Sequence, residues 1–325
     1  MNILVFGRDG QLGRAFKSFF DAKKMGELHC IHYFGRLDCN LENPTEIQEV
    51  LKSYKPHLII NAAAYTAVDL AETEEHSAYA INAKAPAIMA CSAAKLGATF
   101  LHYSTDYVFD GTKNSPYEET DIRNPLSVYG KSKAAGEVAI EDVFRTGQKS
   151  HIKFGDAEFG FQFAIFRTSW VYGNGSNFIR TILRLAKERK NLKVVADQYG
   201  VPTSATWLAS ISMALALDDN QQLKPFPSGV YHSVPKGVTS WHSLACYVVQ
   251  LAIDMGVELM LTPNEIKAIP SSDYSQPATR PKNSRLATLA LENTLTNMTQ
   301  LELLNQSWEQ QVAIYVQQIA LSRPI

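Results

Sequence analysis

The chain opens Met1-Asn-Ile-Leu-Val-Phe-Gly-Arg-Asp-Gly-Gln-Leu-Gly13, an apolar run followed directly by three spaced glycines. The run predicts a buried strand, and the residues after it have the pattern of a helix. In such a turn the first glycine permits a tight bend, the second lets the backbone approach a pyrophosphate, and the third allows close helix–strand packing. Free N–H groups at the helix start attract the phosphates. We therefore predict a dinucleotide site that includes Gly7, Gly10, Gln11 and Leu12.

The first half of the chain alternates short apolar runs with helical patterns, which is typical of a parallel sheet with crossover helices. The predicted strands are residues 3–6, 28–34, 58–60, 99–103 and 163–166. The predicted helices are residues 11–20, 44–54, 74–96 and 126–143, with Gly97 as the cap that ends the third of them. The fold class that follows is α/β, a Rossmann-type doubly wound parallel sheet.

Beyond residue 170 the alternation becomes irregular, and turns rich in proline and glycine interrupt it. We predict an NAD(P)-binding domain at 1–170, with a later strand returning to its sheet, and a smaller, irregular substrate-binding lobe at 171–325. The Gly-, Lys- and Asp-bearing stretch 145–162 breaks the pattern between a helix and a strand, and it is predicted to be an inserted loop or hairpin.

The composition excludes several classes of protein. A net charge of -1 and a pI near 6.7 give no electrostatic basis for binding nucleic acid or an anionic membrane. No apolar stretch is long enough to span a bilayer, and no signal-peptide pattern precedes the first strand. The four cysteines, Cys30, Cys39, Cys91 and Cys246, have no Cys-x-x-Cys spacing, and we expect buried free thiols in a reducing cytoplasm. The scattered histidines predict no metal site.

Tyr129 and Lys133, four residues apart in Ser127-Val-Tyr-Gly-Lys-Ser-Lys133, would share one face of a helix. An ammonium beside a phenol favours the phenolate and is expected to lower the tyrosine pKa from about 10. Such a tyrosine can give a proton to a carbonyl oxygen as a hydride reaches the carbon. Thr105, at the end of the fourth predicted strand, would hydrogen-bond the same carbonyl. Thr105, Tyr129 and Lys133 are the predicted catalytic residues, and Lys133 would also bind the nicotinamide ribose.

The second predicted strand ends in Phe34-Gly-Arg-Leu-Asp38, which bears on the choice of cofactor. Arg36, with Arg8 of the glycine loop, is placed to meet a 2′-phosphate and favours NADP. Asp38 could instead bind the ribose hydroxyls and argues for NAD. The small side chains of Ala62, Ala63 and Ala64 end the third strand and would let the ribose and nicotinamide lie against the sheet edge.

Several segments in order give the chain a family resemblance. They are Gly7-x-x-Gly-Gln-Leu-Gly13, Tyr65-Thr-Ala-Val-Asp69, Tyr103-Ser-Thr-Asp-Tyr-Val-Phe-Asp-Gly111, Tyr129-Gly-Lys-Ser-Lys133, Arg167-Thr-Ser-Trp-Val-Tyr-Gly173, Asp197-Gln-Tyr-Gly-Val-Pro-Thr203, Gly229-Val-Tyr-His232 and Arg280-Pro-Lys-Asn-Ser284. With these the chain resembles, essentially from end to end, the dTDP-4-dehydrorhamnose reductases of the extended short-chain dehydrogenase/reductase superfamily.

The resemblance implies reduction of the C4 ketone of dTDP-4-dehydro-L-rhamnose to dTDP-L-rhamnose by NADPH, with NADH as the other donor and Tyr129 as the proton donor. It implies that the sugar and nicotinamide are surrounded by Thr66, Val68, Thr105, Asp106, Tyr107 and Trp170. It further implies that the nucleotide diphosphate is met by Asn177, Gln198 and Arg280. Asn82 would belong either to a proton relay or to helix packing.

The chain departs from the family pattern at two places. Some members dimerise around magnesium held by acidic side chains, and one of those positions is Ala15 here, so we expect no metal and a monomer or weak homodimer. The stretch 145–162 is longer than the family leads us to expect.

Two other functions stay open at this stage. A non-catalytic regulatory subunit of the methionine adenosyltransferase type uses the same fold, but it would be expected to have lost catalytic residues that this chain keeps. A reductase, epimerase or dehydratase acting on another nucleotide sugar is the second alternative. Dehydratases usually place two acids after the strand-four threonine, and here Tyr107 follows Asp106.

Overall fold

The computed structural model describes residues 1–149 and 161–321. In the first half of the chain, the strands are β1 (Asn2–Phe6), β2 (Cys30–Phe34), β3 (Leu58–Asn61), β4 (Thr99–Thr105) and β5 (Gln162–Thr168). The helices are α1 (Gln11–Ala22), α2 (Pro44–Tyr54), α3 (Val68–Ala71), α4 (Glu75–Tyr79), α5 (Ala85–Leu96) and α6 (Val128–Lys149). Short 3₁₀ turns cover Met25–Glu27 and Asp106–Val108.

The second half has shorter strands and more loops, as the sequence led us to expect. Its helices are α7 (Phe178–Glu188), α8 (Ala205–Ala216), α9 (Trp241–Asp254), α10 (Leu289–Thr294), α11 (Met298–Leu304) and α12 (Trp308–Leu321). Its strands are β6 (Val171–Tyr172), β7 (Leu192–Val195), β8 (Tyr199–Gly200), β9 (Thr203–Ser204), β10 (Gly229–His232), β11 (Thr239–Ser240) and β12 (Ile266–Ile269). Two further 3₁₀ turns cover Pro263–Glu265 and Ser271–Asp273.

The central sheet has six parallel strands in the order β10-β5-β4-β3-β1-β2. The order reverses between β1 and β3, because the chain adds β2 on one side of β1 and β3, β4 and β5 on the other. In open parallel sheets, ligands bind at the carboxyl ends of the strands where the order reverses. The predicted Rossmann-type fold is confirmed, and its switch point lies between the glycine loop after β1 and the alanines after β3.

Helices cover both faces of this sheet, which explains why its strands are apolar almost throughout. One face packs on α1 and α8, with Phe16 and Leu208 in its core, and the other packs on α2 and α5, with Ile47 and Met89. A separate core in the second half of the chain joins side chains of α7, α9 and α12.

Two predicted helices differ from the structure. The helix predicted at 74–96 is interrupted by a π turn at Ala80–Lys84, although Gly97 does end it with a φ of +65°. The helix predicted to end at residue 143 continues to Lys149, and β5 begins at Gln162, so both ends of the predicted insertion 145–162 belong to regular elements. The insertion's remaining residues, 150–160, lie outside the described part of the chain.

The domain division at residue 170 stays a prediction. β10, which comes from the second half of the chain, pairs with β5 at the edge of the central sheet. α8 packs on α1 against the same sheet. The second half therefore supplies both the substrate lobe and part of the sheet's own core.

The cysteines are free, as expected, but the expectation that they are buried is only partly right. Cys39 is buried and Cys246 is half-buried, whereas Cys30 and Cys91 are exposed. Their apolar sequence neighbours point inward while these two side chains lie on the solvent side of a strand and a helix. Within the described residues, no helix has the length and apolar character needed to cross a membrane.

Candidate active site

A cleft of about 650 Å³ lies at the carboxyl edge of the sheet, where the strand order reverses. Ten of the eleven predicted cofactor residues line it: Gly7, Gly10, Gln11, Leu12, Arg36, Ala62, Ala63, Ala64, Tyr129 and Lys133. The tertiary structure therefore brings together residues that are spread over more than a third of the chain.

The glycine loop is shaped for a group that must approach the backbone closely. Gly7 has a φ of +90°, and a Cβ there would lie 2.6 Å from the Ala63 nitrogen. A Cβ on Gly13 would lie 2.1 Å from the Gly7 carbonyl oxygen. Both distances are far below a normal contact, so only glycine fits at either position. Behind the loop, α1 presents its free N–H groups without an acidic side chain in the first turn, as a pyrophosphate requires.

The predicted adenosine end of the cleft carries charges of both signs. Arg36 is exposed and lines the cleft. The Asp38 carboxylate accepts a hydrogen bond from Gly35 N at 2.7 Å and forms an ion pair with Arg8 Nη1 at 2.9 Å. Asp38 is therefore already engaged by the loop and by a cation, and it contributes less negative charge to this end than its sequence position suggests. The glycine loop, the small alanines after β3 and the arginines Arg8 and Arg36 at the adenosine end fit an NADP molecule.

Tyr129 and Thr105 meet at the inner end of the cleft. Burial raises the pKa of Tyr129 to about 12; a hydrogen bond with Thr105 opposes this effect, and the nearby Asp106 carboxylate adds to it. Lys133 is not among the causes, so the expectation that its ammonium lowers the Tyr129 pKa is wrong for this structure. The reason is that desolvation of the phenol dominates, while the Lys133 ammonium is turned to the Tyr103 carbonyl oxygen and His102. A phenol that keeps its proton is the form that a proton donor needs.

Lys133 is buried, with its side chain held on the β4 side of α6. Its Nζ donates a hydrogen bond to the Tyr103 carbonyl oxygen and lies 3.3 Å from His102 Nε2. Burial lowers the pKa of Lys133 to about 8, while the carboxylate of Glu137, one turn along α6, acts to raise it. Lys133 is therefore mainly charged at neutral pH and begins to lose its proton just above it.

Asn82 stabilises one wall of the cleft through hydrogen bonds. It lies in the π turn between α4 and α5, where its Oδ1 accepts from Tyr65 N at 2.9 Å and its Nδ2 donates to Tyr65 O and Ser132 Oγ, both at 3.0 Å. The Tyr65 contacts join the loop after β3 to the π turn, and the Ser132 contact joins the π turn to the helix of Tyr129. Of the two roles left open by the sequence, the contacts match the packing role.

A second cavity, of about 620 Å³, lies on the substrate-lobe side of Tyr129. Among the predicted substrate residues, its lining includes Tyr107, Gln198 and Arg280. The Tyr107 ring packs edge-on against the Tyr129 ring, with centroids 5.7 Å apart. The two tyrosines thus stand where the first cavity meets the second. Phe178 and Trp241, which also line the second cavity, were not predicted from the sequence.

The remaining predicted substrate residues have varied surroundings. Thr66 lines the first cleft, and Val68 begins α3 beside it. Trp170 stacks on Trp241, with ring centroids 3.7 Å apart, and a Cβ on Gly200 would lie 2.8 Å from its indole. Asn177 caps α7, with its Oδ1 accepting from Arg180 N at 3.1 Å and its Nδ2 donating to the Gly173 carbonyl oxygen.

Asp106 is a buried carboxylic acid next to the predicted catalytic residues. Its Oδ1 accepts from the Thr105 hydroxyl at 3.0 Å, and its Oδ2 is buried without a hydrogen-bond partner in the described residues. Burial raises the pKa of Asp106 to about 6, and hydrogen bonds from Ser284 and Thr105 work against the rise. A carboxyl oxygen left free at this depth is suited to accept from a substrate hydroxyl.

Ala15 is buried in the core between α1 and α8. In the described ranges, no cluster of three or more His, Cys, Asp or Glu side chains is arranged to hold a metal.

Comparison with known proteins gives a consistent result. The family model for the RmlD substrate binding domain matches residues 1–320. A dTDP-4-dehydrorhamnose reductase of Salmonella typhimurium is 43% identical over 293 residues, covering 89% of this chain and 90% of that protein. The crystal structure of a Clostridium acetobutylicum dTDP-4-dehydrorhamnose reductase covers 99% of this chain and 100% of its own at 31% identity, with a TM-score of 0.81. A Bacillus anthracis dTDP-4-dehydrorhamnose reductase in complex with NADP covers 98% and 99% at 29% identity, with a TM-score of 0.77.

Proposed function

The chain belongs to the dTDP-4-dehydrorhamnose reductase family, and we propose that it reduces the C4 ketone of dTDP-4-dehydro-L-rhamnose to dTDP-L-rhamnose with NADPH. The observation that carries this proposal is the contact of Tyr129, which lines one cavity, with Tyr107, which lines another. One has the glycine cradle of a dinucleotide site, and the other is lined by aromatic and cationic side chains. A proton donor at that junction stands between a cofactor and a sugar nucleotide.

The cofactor would lie along the first cleft. The N–H groups at the start of α1 would hold the pyrophosphate, and the alanines after β3 would face the nicotinamide half. When bound, NADPH supplies the hydride that the ketone carbon accepts. Arg36 and Arg8 would meet the 2′-phosphate, which favours NADPH, and NADH is the alternative donor. The relative from Bacillus anthracis was solved with NADP.

The chain's own residues would carry the proton chemistry. Tyr129 holds its proton at neutral pH, because burial raises its pKa to about 12, and gives it to the ketone oxygen as that oxygen gains negative charge. The Thr105 hydroxyl would orient the same oxygen. Lys133 would hold the nicotinamide ribose through an N–H that faces the cleft and would stabilise the tyrosinate left after the proton transfer.

The second cavity would hold the nucleotide diphosphate. Arg280 would face the phosphates with its Nε–H and the Nη2–H that its ion pair with Asp69 leaves free, and Gln198 would offer its amide. Phe178 and Trp241 provide flat apolar surfaces on which a base or sugar can stack. Asp106, Tyr107, Thr66 and Val68 would line the path of the sugar to Tyr129, with Trp170 behind Trp241.

The alternatives are less well supported. A regulatory subunit needs no intact proton donor, yet Thr105, Tyr129 and Lys133 are all present around one site. A different nucleotide sugar would use the same cavities, so only turnover of defined substrates separates that alternative. We also propose a domain boundary near residue 170 and a cytoplasmic location. We propose that the protein is a monomer or a weak homodimer, which light scattering of the purified protein tests.

The test is oxidation of NADPH by the purified protein in the presence of enzymatically made dTDP-4-dehydro-L-rhamnose. Tyr129→Phe should lower kcat by about two to four orders of magnitude, because it removes the proton donor alone. Tyr247→Phe is the matched control: Tyr247 lines neither cavity, its hydroxyl donates to the Glu309 carbonyl oxygen in α12, and its loss should leave kcat unchanged. Turnover by Tyr129→Phe at the wild-type rate would refute the proposal, as would binding of NADPH with no turnover of this sugar.

A further inference from the structure

A chain of buried polar groups leads away from the cleft behind Lys133. The Nζ of Lys133 lies 3.3 Å from His102 Nε2, and His102 Nδ1 lies 3.1 Å from the side-chain nitrogen assigned to Asn61. Asn61 and His102 are fully buried, and Lys133 is 1% exposed. Asn61 ends β3 and His102 lies in the middle of the neighbouring strand β4, and the two are paired directly across the sheet. Polar groups at this depth persist only when they are satisfied by one another.

The chemistry of the three groups fixes where each proton lies. A charged lysine has donors only, so His102 Nε2 must accept from it. A neutral imidazole that accepts at Nε2 carries its proton on Nδ1, and that N–H needs an acceptor. Burial and the Lys133 charge hold the pKa of His102 well below its usual value, so the ring stays neutral.

Asn61 must therefore present its oxygen, not its nitrogen, to His102 Nδ1. Amide oxygen and nitrogen are assigned from the hydrogen-bond network, because their positions are nearly interchangeable. With the amide nitrogen facing His102, Asn61 Oδ1 is buried without a hydrogen-bond partner among the described residues. Turning the amide over gives that oxygen a donor and completes the order Lys133 Nζ–H to His102 Nε2, and His102 Nδ1–H to Asn61 Oδ1.

We propose that His102, oriented by Asn61, is a positioning residue that holds the ammonium of Lys133 for the reaction under "Proposed function", on which this inference rests. The Tyr103 carbonyl and His102 Nε2 take two of the three N–H groups of Lys133. The third is directed to the cleft, which Lys133 lines. His102 touches neither cavity, so it acts only through Lys133.

Other groups around Lys133 determine how far its pKa falls when the His102 acceptor is lost. On α6 these are the Tyr129 phenol and the Glu137 carboxylate, which acts to raise the Lys133 pKa. From β4 and the turn after it come Tyr103 and Asp106, and from β5 comes Arg167, which is paired with Glu137. With Glu137 so paired, His102 Nε2 is the side-chain acceptor beside the ammonium, and the Tyr103 carbonyl oxygen is the backbone one. Losing that acceptor leaves a buried charge with fewer partners, and its pKa must fall further.

The test compares the pH dependence of kcat in the wild type, His102→Leu and His102→Gln. The wild type should lose activity on the basic side as Lys133, with a pKa near 8, gives up its proton. His102→Leu should move this basic limb of the pH profile, where kcat falls, to lower pH by about one unit. That is the usual effect of losing one hydrogen bond to a buried charge. His102→Gln supplies an amide oxygen and should return the limb toward the wild-type position. A uniform fall in kcat at every pH in both variants would mean a purely structural role and would overturn the proposal.

A second measurement needs no substrate. In nitrogen NMR of the imidazole rings of the wild type, buried His232, whose Nδ1 lies 3.0 Å from the Ala287 carbonyl oxygen, should appear as the neutral Nδ1–H tautomer. His102 should give a second signal of this kind, with no titration across neutral pH. The signal is assigned as the one that is absent from His102→Gln or, if that variant does not fold, as the one that shifts in Lys133→Met. An Nε2–H tautomer would overturn the inference even if the protein proved to be a reductase. The predicted tautomer in a protein without turnover would refute the reaction and leave the Lys133–His102 contact standing.

Discussion

Arg280 forms a two-point ion pair with Asp69, with Nη1 2.8 Å from Oδ1 and Nη2 2.7 Å from Oδ2. Asp69 belongs to α3, beside the cofactor cleft, and Arg280 lines the second cavity. The Arg280 hydrogen bonds lower the pKa of Asp69, and the Ala278 N–H adds to this effect. The pair therefore connects α3, beside the cofactor cleft, to the wall of the second cavity. It also holds the guanidinium in one orientation toward the space proposed for the diphosphate.

Replacing Arg280 by Lys should raise the KM for the nucleotide sugar about tenfold, because an ammonium keeps the charge but loses the planar fork. The KM for NADPH should change little. Arg285→Lys is the control: Arg285 bonds to Asn283 and Asn114 and lines neither cavity. Equal KM values for the two lysine variants would contradict the assignment of Arg280. Initial rates over a range of sugar concentrations provide the measurement.

Asp106 should give sugar binding a pH dependence. Because burial raises its pKa to about 6, the carboxylate forms only as the pH rises through that value. The charged form is the stronger acceptor for a sugar hydroxyl, so the KM for the sugar should fall between about pH 5 and 7. Asp106→Asn should remove this dependence, whereas Asp273→Asn, at an exposed position, should keep it. A wild-type KM that is constant over this range would refute the role of Asp106.

The charges around Gly35 should set cofactor preference. Asp38→Asn removes a carboxylate from the predicted adenosine end and releases Arg8 from its ion pair. We expect the ratio of kcat/KM for NADPH over NADH to rise about tenfold, since a phosphate then meets an unpaired arginine. Arg36→Ala should change the ratio in the opposite direction. If the two variants shift the ratio in the same direction, the 2′-phosphate is not bound here.

Gly13→Ala should destabilise the protein and weaken NADPH binding, because its Cβ would lie 2.1 Å from the Gly7 carbonyl oxygen and would separate α1 from the glycine loop. Overpacking of this kind costs about 1–3 kcal/mol. Gly26→Ala is the matched control, since its Cβ would meet nothing within 4 Å. Thermal unfolding with and without NADPH measures both effects. An unchanged melting temperature in Gly13→Ala would contradict the close packing.

Glu137 is expected to control stability in acid. It is buried beside Arg167 and accepts from Arg123; burial works to raise the pKa of Glu137, but the two cations outweigh it and lower the value. A carboxyl with a depressed pKa stabilises the fold above its unfolded value of about 4.3, and that stability is lost as the pH falls through the folded pKa. Glu137→Gln should remove this acid dependence.

Glu137→Gln should also destabilise the fold at neutral pH by about 3–5 kcal/mol, because it leaves buried guanidinium charges unpaired. Glu141→Gln, which removes only the outer partner of Arg123, should cost under about 1 kcal/mol. Chemical denaturation of the two variants at several pH values makes the comparison. Similar stabilities for both would show that the buried pair is not the stabilising one.

Local patterns in the chain were enough to predict the sheet, and they are the basis on which Thr105, Tyr129 and Lys133 are proposed as catalytic. The apolar run 3–6 with its three glycines predicted the cofactor turn, and the spacing of Tyr129 and Lys133 placed both on one helix. The break in the helix predicted at 74–96 was not visible, because Ala80–Lys84 has no proline or glycine, and the π turn forms to bring Asn82 to the Tyr65 backbone. Phe178 and Trp241 were also missed, since nothing in their immediate neighbours distinguishes a cavity wall from an ordinary packed helix.

The amino-acid order thus specifies which backbone elements form and which reactive groups they carry, because strand pairing and helix faces depend on residues close together in the chain. Tertiary packing alone sets the chemistry of those groups. The Tyr129 phenol keeps its proton because distant elements bury it beside Asp106, and the Lys133 pKa falls to about 8 because β4 and α6 enclose it. Arg280 and Asp69 lie 211 positions apart in the chain and meet only in the fold. Electrostatic energy depends on distance and desolvation in space, and the folded molecule decides both.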